Sequence, residues 1–279
     1  MIVVTGAGGH LGRLVVEELA ARVPAARIVA AARIPDKAAG LGVEVRQADY
    51  DRPETIEAAL RDATKVLLIS GIEPQRARQH ATVVDAAKRA GATLVYTSAP
   101  KADTTEAALA ADHKTTEAYI KASGVTYTIL RNNWYHENYE RAIVTAPQLG
   151  AVFGAAGDGR IASASRADYA AATAAVLAGE GHEGKVYELG GDTAWSLAEL
   201  AAEISRASGK EVAYRDLPED EYARVLADAG LPAPMAGIMA DVDVNIGRGW
   251  LADTPGTLHE LAGRRPQPIG DYVRSLLPA

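Results

Sequence analysis

Met1-Ile2-Val3-Val4-Thr5-Gly6-Ala7-Gly8-Gly9-His10-Leu11-Gly12 opens the chain and decides how the rest is read. Ile2-Val3-Val4 is a short continuous apolar run rich in β-branched side chains, which suits a strand buried on both faces of a parallel sheet. From Leu11 onward the apolar spacing changes: Leu11, Leu14, Val15 and Leu19 recur at helical intervals, with Arg13, Glu17 and Glu18 on other faces. The order is therefore strand, glycine turn, helix. Gly6, Gly9 and Gly12 give a Gly-x-x-Gly-x-x-Gly spacing rather than the common Gly-x-Gly-x-x-Gly, and Gly8 adds a second arrangement with Gly6. Such a turn lets the backbone approach an anion, and the helix behind it offers free N–H groups and the positive end of its dipole. A pyrophosphate is the expected ligand of Thr5, Gly6, Ala7, Gly8, Gly9, His10 and Leu11.

The pattern continues outward from that turn. Arg27 to Ala32 reads as a second strand, and Arg33 stands at its tip, 21 positions past Gly12. In a dinucleotide fold this tip meets the adenosine ribose, where a carboxylate suits NAD and an Arg suits the 2′-phosphate of NADP. Arg33, with Lys37 nearby and no carboxylate at the tip, predicts NADPH. Val43 to Ala48 is a more polar third strand ending at Asp49 and Tyr50, where an adenine ring is expected. Pro53 opens a helix through Leu60. Val66 to Ile69 is a buried strand ended by Ser70-Gly71 beside the expected crevice. A helix over Arg76 to Ala90 stops at Gly91. Thr93 to Thr97, a helix over Asp112 to Ser123 closed by Gly124, and a strand over Val125 to Leu130 complete the alternation. Thr5, Arg33, Asp49, Ser70, Ser98 and Arg131 all fall at or just past strand carboxyl ends, the ligand edge of a doubly wound sheet.

Beyond about residue 145 the alternation loosens. Arg166 to Leu177 reads as an alanine-rich helix and Val186 to Leu189 as a strand. Ser196-Leu197-Ala198-Glu199 is a capping box for a helix to about Ala207. Mostly short helices are expected after it. The predicted fold class is α/β: a doubly wound parallel sheet of Rossmann type over residues 1–145, with a smaller C-terminal α/β lobe over 146–279, parts of which return to the first domain.

Composition limits the function. The 279 residues allow a sizeable core, and a net charge of −7 disfavours a general nucleic-acid backbone binder. The absence of cysteine excludes disulfides, thiol catalysis and cysteine metal sites, and the six histidines show no metal-ligand spacing. No apolar stretch reaches about 18 residues, so no membrane span is expected. A strand starting at Ile2 leaves no room for a signal peptide, which makes the cytoplasm the default location.

A nicotinamide cofactor implies hydride transfer. Many carbonyl reductases of the short-chain type protonate their product with Tyr-x-x-x-Lys on the helix after the fifth strand. Here Lys114 can take the Lys position, but residue 110 is Ala, and Tyr127 with Arg131 repeats the spacing only within a strand. A quinone acceptor needs no such acid, because its hydroquinone anion is stabilised by the ring. A dry apolar slot beside the nicotinamide is then enough. Lys114, His113 and Tyr135 stay as candidate catalytic groups; for His113 a capping or surface role is the competing reading. The second dense cluster is Arg131 to Tyr139. Its Asn132, Asn133 and Asn138 offer amide groups to a nicotinamide amide or ribose, and Trp134 or Tyr135 offers a ring wall. For Trp134, plain packing is the competing reading.

Several segments together resemble the NmrA-like branch of the atypical short-chain dehydrogenases, and within it the bacterial type-2 NAD(P)H:quinone oxidoreductases. They are Thr5 to Gly12, Arg46 to Tyr50, Leu67 to Ser70, Tyr96 to Ser98, Arg131-Asn132 with Trp134-Tyr135 and Glu137 to Tyr139, Gly154 to Gly159, Arg166 to Ala171, and Gly181 to Leu189. The resemblance implies a Rossmann domain with a small C-terminal lobe, NADPH without flavin, and two-electron reduction of quinones. By position it implies phosphate contacts from Gly6 to Leu11 and Arg33. Ser70, Gly71 and Ile72 would flank the nicotinamide side with Trp134, Tyr135, Glu137 and Asn138, and Arg166 and Ala167 would lie nearby. Asn133 stands where the family has Gly, and Gly71-Ile72 departs from a serine-rich stretch. The second reading is an NADP(H)-binding redox sensor without turnover, favoured by the missing Tyr. A homodimer is compatible with either.

Overall fold

The computed structural model describes residues 1–277. The first half alternates strand and helix: β1 (Ile2–Val4), α1 (His10–Ala20), β2 (Ile28–Ala32), β3 (Glu44–Gln47), α2 (Pro53–Ala59), β4 (Lys65–Leu68), α3 (Arg76–Ala90), β5 (Thr93–Ser98), α4 (Ala111–Ser123) and β6 (Tyr127–Asn132). The second half contains α5 (Glu140–Leu149), β7 (Ala151–Gly154), β8 (Arg160–Ile161), α6 (Arg166–Ala178), β9 (Val186–Leu189), β10 (Trp195–Ser196), α7 (Leu197–Ser208), β11 (Ala213–Asp216), α8 (Glu219–Asp228), α9 (Ala233–Gly247), α10 (Thr257–Ala262) and α11 (Ile269–Leu276).

Seven strands form one parallel sheet in the order β3-β2-β1-β4-β5-β6-β9. Successive residues of each strand face opposite sides, so the sheet carries two cores. Ile2, Val4, Ile28, Ala30, Leu67 and Leu130 face α1 and α6, against Val15, Leu19, Tyr169 and Leu177. Val3, Val29, Val66, Leu68, Leu94 and Ile129 face the other helices, against Ile56, Val83, Val84 and Ile120. That two-sided burial is what the apolar runs of β1 and β4 require. The strand order reverses between β1 and β4, which opens a crevice at their carboxyl ends.

α3 ends at Gly91 and α4 at Gly124, both in left-handed geometry with φ of +68° and +79°. The capping box at Ser196 and Glu199 forms, and a second one, Ser165 with Asp168, starts α6. β6 runs two residues further than its apolar pattern suggests. Arg131 and Asn132 pair in register with Glu188 and Leu189 of β9, so strand pairing extends β6 through polar residues.

A third core belongs to the second half. Trp195, Leu197, Ile204, Val242, Ile246, Trp250 and Val273 pack together beside two small sheets, parallel β7 with β11 and antiparallel β8 with β10. Trp250 Nε1 donates to the Pro100 carbonyl (2.8 Å), which fastens this core to the loop after β5. α9 is longer than the short helices expected there. Its Gly237 and Gly247 lower helix propensity, but the buried Ala236, Ala240, Val242 and Ile246 hold it by packing. Among the described residues, no helix is long and apolar enough to cross a membrane.

Candidate functional site

The glycine turn is built by exclusion of side chains. A Cβ on Gly12 would lie 2.3 Å from the Gly6 carbonyl oxygen and 2.8 Å from Ala7 Cα, so the turn can fold back on α1 only if residue 12 is Gly. Gly6 takes a φ of +67°, and Gly9 N–H closes the turn on the Gly6 carbonyl at 2.9 Å. Gly8 meets Lys37: a Cβ there would lie 3.0 Å from Lys37 Cβ. Arg13 Nη1 donates to the Lys37 carbonyl (2.7 Å), which holds the turn after β2 against the start of α1. Gly9 precedes α1 without a side-chain cap, and the first turn of the helix holds no acid. Its first N–H groups therefore have no intrahelical partner, as an anion site requires. His10 is exposed at that start, and Leu11 is buried in the core beneath it.

A cavity of about 350 Å³ opens on this turn, lined by Gly6, Gly8 and Gly9 from the first strand–helix unit and by Arg33, Ile34 and Lys37 from the second. Asp49 and Tyr50, and the loop from Ile69 to Glu73, complete it with Gln79. Thr5 Oγ1 donates to the Leu67 carbonyl (2.8 Å) and lies 2.6 Å from the Tyr50 hydroxyl, which is 3.0 Å from the Ile69 carbonyl. These bonds tie β1, the end of β3 and β4 into one floor. Gln79 is buried; its Nε2 donates to Asp51 (2.9 Å), while its Oε1 has no partner. An unpartnered acceptor on the wall of a cavity matches the exocyclic amine of an adenine base. The residues present thus fit a dinucleotide on three counts: the side-chain-free turn, the uncapped helix and the unpartnered amide oxygen.

The loop after β4 is held from behind. Thr116 Oγ1 donates to the Asp112 carbonyl (2.8 Å), so His80 Nδ1–H donates to Thr116 Oγ1 (2.9 Å) and its Nε2 accepts the Gly71 N–H (3.3 Å). Burial, helped by the nearby Arg76 charge, lowers the His80 pKa to about 4 and keeps the ring neutral. Buried Arg76 donates to Asp112 (2.9 Å) and to the Leu109 carbonyl (2.7 Å). Ser70 N–H donates to Thr97 Oγ1 (3.0 Å). Ile72, in contrast, is 79% exposed at the cavity mouth.

The second predicted cluster assembles past β6, and none of its members lines that cavity. Arg166 lies over the Tyr135 ring, 4.6 Å from its centroid, and its peptide N–H donates to Glu137 Oε1 (2.8 Å). Arg166 Nη2 reaches Asn138 Oδ1 (3.4 Å), and Tyr135 packs edge-on against Tyr169. Asn132 Nδ2 donates to the Tyr135 hydroxyl (3.2 Å), and the buried Asn132 Oδ1 has no partner. Ala167 offers its carbonyl to Arg264 (3.2 Å). Trp134 is half-buried against the third core, and its carbonyl accepts the Ala164 N–H (3.1 Å).

Several expectations need correction. Asn133 is buried and turned inward: Nδ2 donates to the Leu251 carbonyl (3.2 Å) and Oδ1 accepts the Trp134 N–H (2.6 Å), so its amide is engaged within the fold and does not line the cavity. His113 is a core residue of α4, 2.8 Å from the Tyr96 hydroxyl, with its pKa lowered by burial to about 3; it neither caps α4 nor reaches the cavity. Lys114 is exposed on the same helix and outside the cavity. Arg131 and Ser98 also leave the site. Arg131 makes a bidentate pair with Glu117 (2.9 and 2.7 Å) and meets Glu188 and Asp103 at 2.9 Å each; Ser98 donates to Glu117 (2.7 Å). A strand-end position alone cannot tell a ligand-facing side chain from one drawn into a buried ion cluster. Sequence reasoning missed Ile34, Glu73 and Gln79. Ile34 had a signal in its position beside Arg33, whereas Gln79 enters the cavity from a helix some 70 residues past the glycine turn.

Comparison with known proteins places these features. An NAD(P)H-binding family model matches residues 6–180. Quinone oxidoreductase 2 of Escherichia coli is 48% identical over 281 residues, covering 99% of this chain and 98% of that protein. The crystal structure of an NADPH-dependent quinone oxidoreductase from Escherichia coli in complex with NADPH superposes with a TM-score of 0.96 over 99% of both chains, at 48% identity. A Citrobacter triphenylmethane reductase in complex with NADP(H) superposes with a TM-score of 0.94 at 37% identity, covering 99% of this chain and 100% of that one.

Proposed function

Because the chain belongs to the NAD(P)H-binding, NmrA-like family, we propose that it is an NADPH-dependent reductase of quinones that works by direct hydride transfer, without a flavin. The observation that carries the cofactor half is the meeting, on one cavity, of the uncapped α1 turn with Arg33 and Lys37. The acceptor half draws on the quinone oxidoreductase of 48% identity.

When bound, NADPH supplies a hydride. The Gly6–Leu11 turn and the first N–H groups of α1 hold its pyrophosphate, and Arg33 with Lys37 holds the 2′-phosphate. Asp49, Tyr50 and Gln79 take the adenosine. Ser70 to Ile72, with Asn132, Trp134, Tyr135, Glu137, Asn138, Arg166 and Ala167, form the nicotinamide side and the acceptor slot. The Tyr135 ring is fixed there between Arg166 and Tyr169. Residue 110 is Ala and Lys114 lies outside the cavity, so no Tyr–Lys pair delivers a proton. A quinone fits that arrangement: one hydride and one proton from water convert it to the hydroquinone. Binding and orientation then carry most of the catalysis.

The reading extends to a cytoplasmic protein that needs no nucleic-acid partner, and to a homodimer, which sedimentation would show as twice the chain mass. The decisive experiment is stopped-flow oxidation of NADPH by a benzoquinone, with protein purified free of flavin. Rapid loss of nicotinamide absorbance is expected. A requirement for added flavin would overturn direct transfer, and cofactor binding without oxidation at any quinone concentration would return the regulatory reading.

A further inference from the structure

We propose that Glu73 sets the balance between NADPH and NADH by competing with the nucleotide 2′-phosphate for Arg33. The proposal rests on the reading of Arg33 as the 2′-phosphate residue. Both side chains line the cavity, and Arg33 Nη1 lies 3.3 Å from Glu73 Oε1. The cation expected to receive a phosphate therefore already has a carboxylate partner on the opposite wall.

Glu73 is delivered to that position by the backbone. Its Oε2 accepts the Ile72 N–H (3.2 Å), so the side chain folds back along its own loop. The fold-back depends on Gly71, where a Cβ would lie 2.7 Å from Glu73 Oε2. Gly71 is in turn tied to His80 on α3. Lys37, the other cation of this wall, has no ion-pair partner among the described residues; Glu73 meets Arg33 alone. The charged groups around the ribose end of the cavity are then Arg33, Lys37, Asp49 and Glu73.

Two ligands meet this arrangement differently. A 2′-phosphate must displace Glu73 from Arg33 and then lies near a like charge, so Glu73 weakens NADPH. The 2′-hydroxyl of NADH is a donor, and a carboxylate accepts it with the Arg33–Glu73 pair intact. Glu73 thus keeps NADH within reach of a site otherwise built for a phosphate.

The test is equilibrium titration of NADPH and NADH against the wild type, Glu73→Gln and Arg33→Ala, at low and high salt. Glu73→Gln keeps the side-chain shape at a half-exposed position and should fold normally. It is expected to raise the ratio of NADPH to NADH affinity by about three- to fivefold, the scale of an exposed ion pair, and by less at high salt. Arg33→Ala should bring the ratio down toward one. If Arg33→Ala lowers the ratio and Glu73→Gln leaves it unchanged, the competition is refuted while the phosphate assignment stands. If Arg33→Ala also leaves it unchanged, the phosphate assignment falls and takes the competition with it.

Discussion

Two points on the sheet's carboxyl edge, one central and one near its β9 side, use their polar groups in opposite ways. At the crevice between β1 and β4, groups are left without protein partners among the described residues: the first N–H groups of α1 and the buried Gln79 Oε1, with the Lys37 ammonium in no ion pair. At the tip of β6, Arg131 is surrounded by three carboxylates, and both ends of the Asn133 amide bond backbone groups. Among the buried side-chain atoms of the described residues there, Asn132 Oδ1, Glu137 Oε2 and the Tyr139 hydroxyl lack hydrogen bonds. Chemically similar residues at similar topological positions are thus left open toward a cavity in one place and, at Arg131 and Asn133, tied into the fold in the other. Partner count separates the two, whereas residue type does not.

The largest effects should come from breaking each of these two places in turn. Replacing Arg131 with Met takes the bidentate guanidinium from Glu117, whose side chain is 2% exposed and keeps only Ser98 and the more distant Lys121, and is expected to cost about 3–5 kcal/mol of stability by denaturant unfolding. The NADPH affinity of the folded fraction should hold; an affinity loss without destabilisation would move Arg131 back into the site. Gly12→Ala forces the turn apart and is expected to cost about 1–3 kcal/mol, with NADPH affinity falling at least about tenfold because the first turn of α1 moves. A normal dissociation constant in that variant would show that the turn is not the phosphate seat.

A third, smaller effect lies in the C-terminal core. Asp243 is buried, and burial pushes its carboxyl up from 3.8 to about 6; the Ala155 N–H offsets part of this, and the Asp216 charge adds to the rise. The fold therefore favours the protonated form. That contribution is fully present below about pH 4 and is lost as the pH rises through about 6. Asp243→Asn should then stabilise the protein by on the order of 2 kcal/mol at pH 8 and by almost nothing at pH 4. Equal melting shifts at both pH values would contradict this.

Most of the first half was legible from local pattern. β1, α1 and the glycine turn are contiguous in sequence, and Arg33 follows at the interval set by one helix and one strand. Gly91 and Gly124 mark their helix ends because positive φ is a local demand. The β6 cluster was legible as a cluster but not in its roles. Whether Asn133 faces a cofactor depends on Leu251, 118 residues away, and His113 is decided by Tyr96 on the neighbouring strand. α9 escaped because its packing partners, rather than its own propensity, hold it. Glu73 escaped because an acid in a surface loop carries no signal until the loop's path is known.

The imidazole behind the loop after β4 has a consequence for acid behaviour. Its Nε2 accepts the Gly71 N–H, so a proton added there would set donor against donor and cut the tether. With the ring's pKa near 4, the tether survives mild acidification and fails only in stronger acid. Nucleotide affinity should accordingly outlast the drop to pH 5, and below that the wall carrying Ser70 to Glu73 should be the first part of the cleft to come adrift.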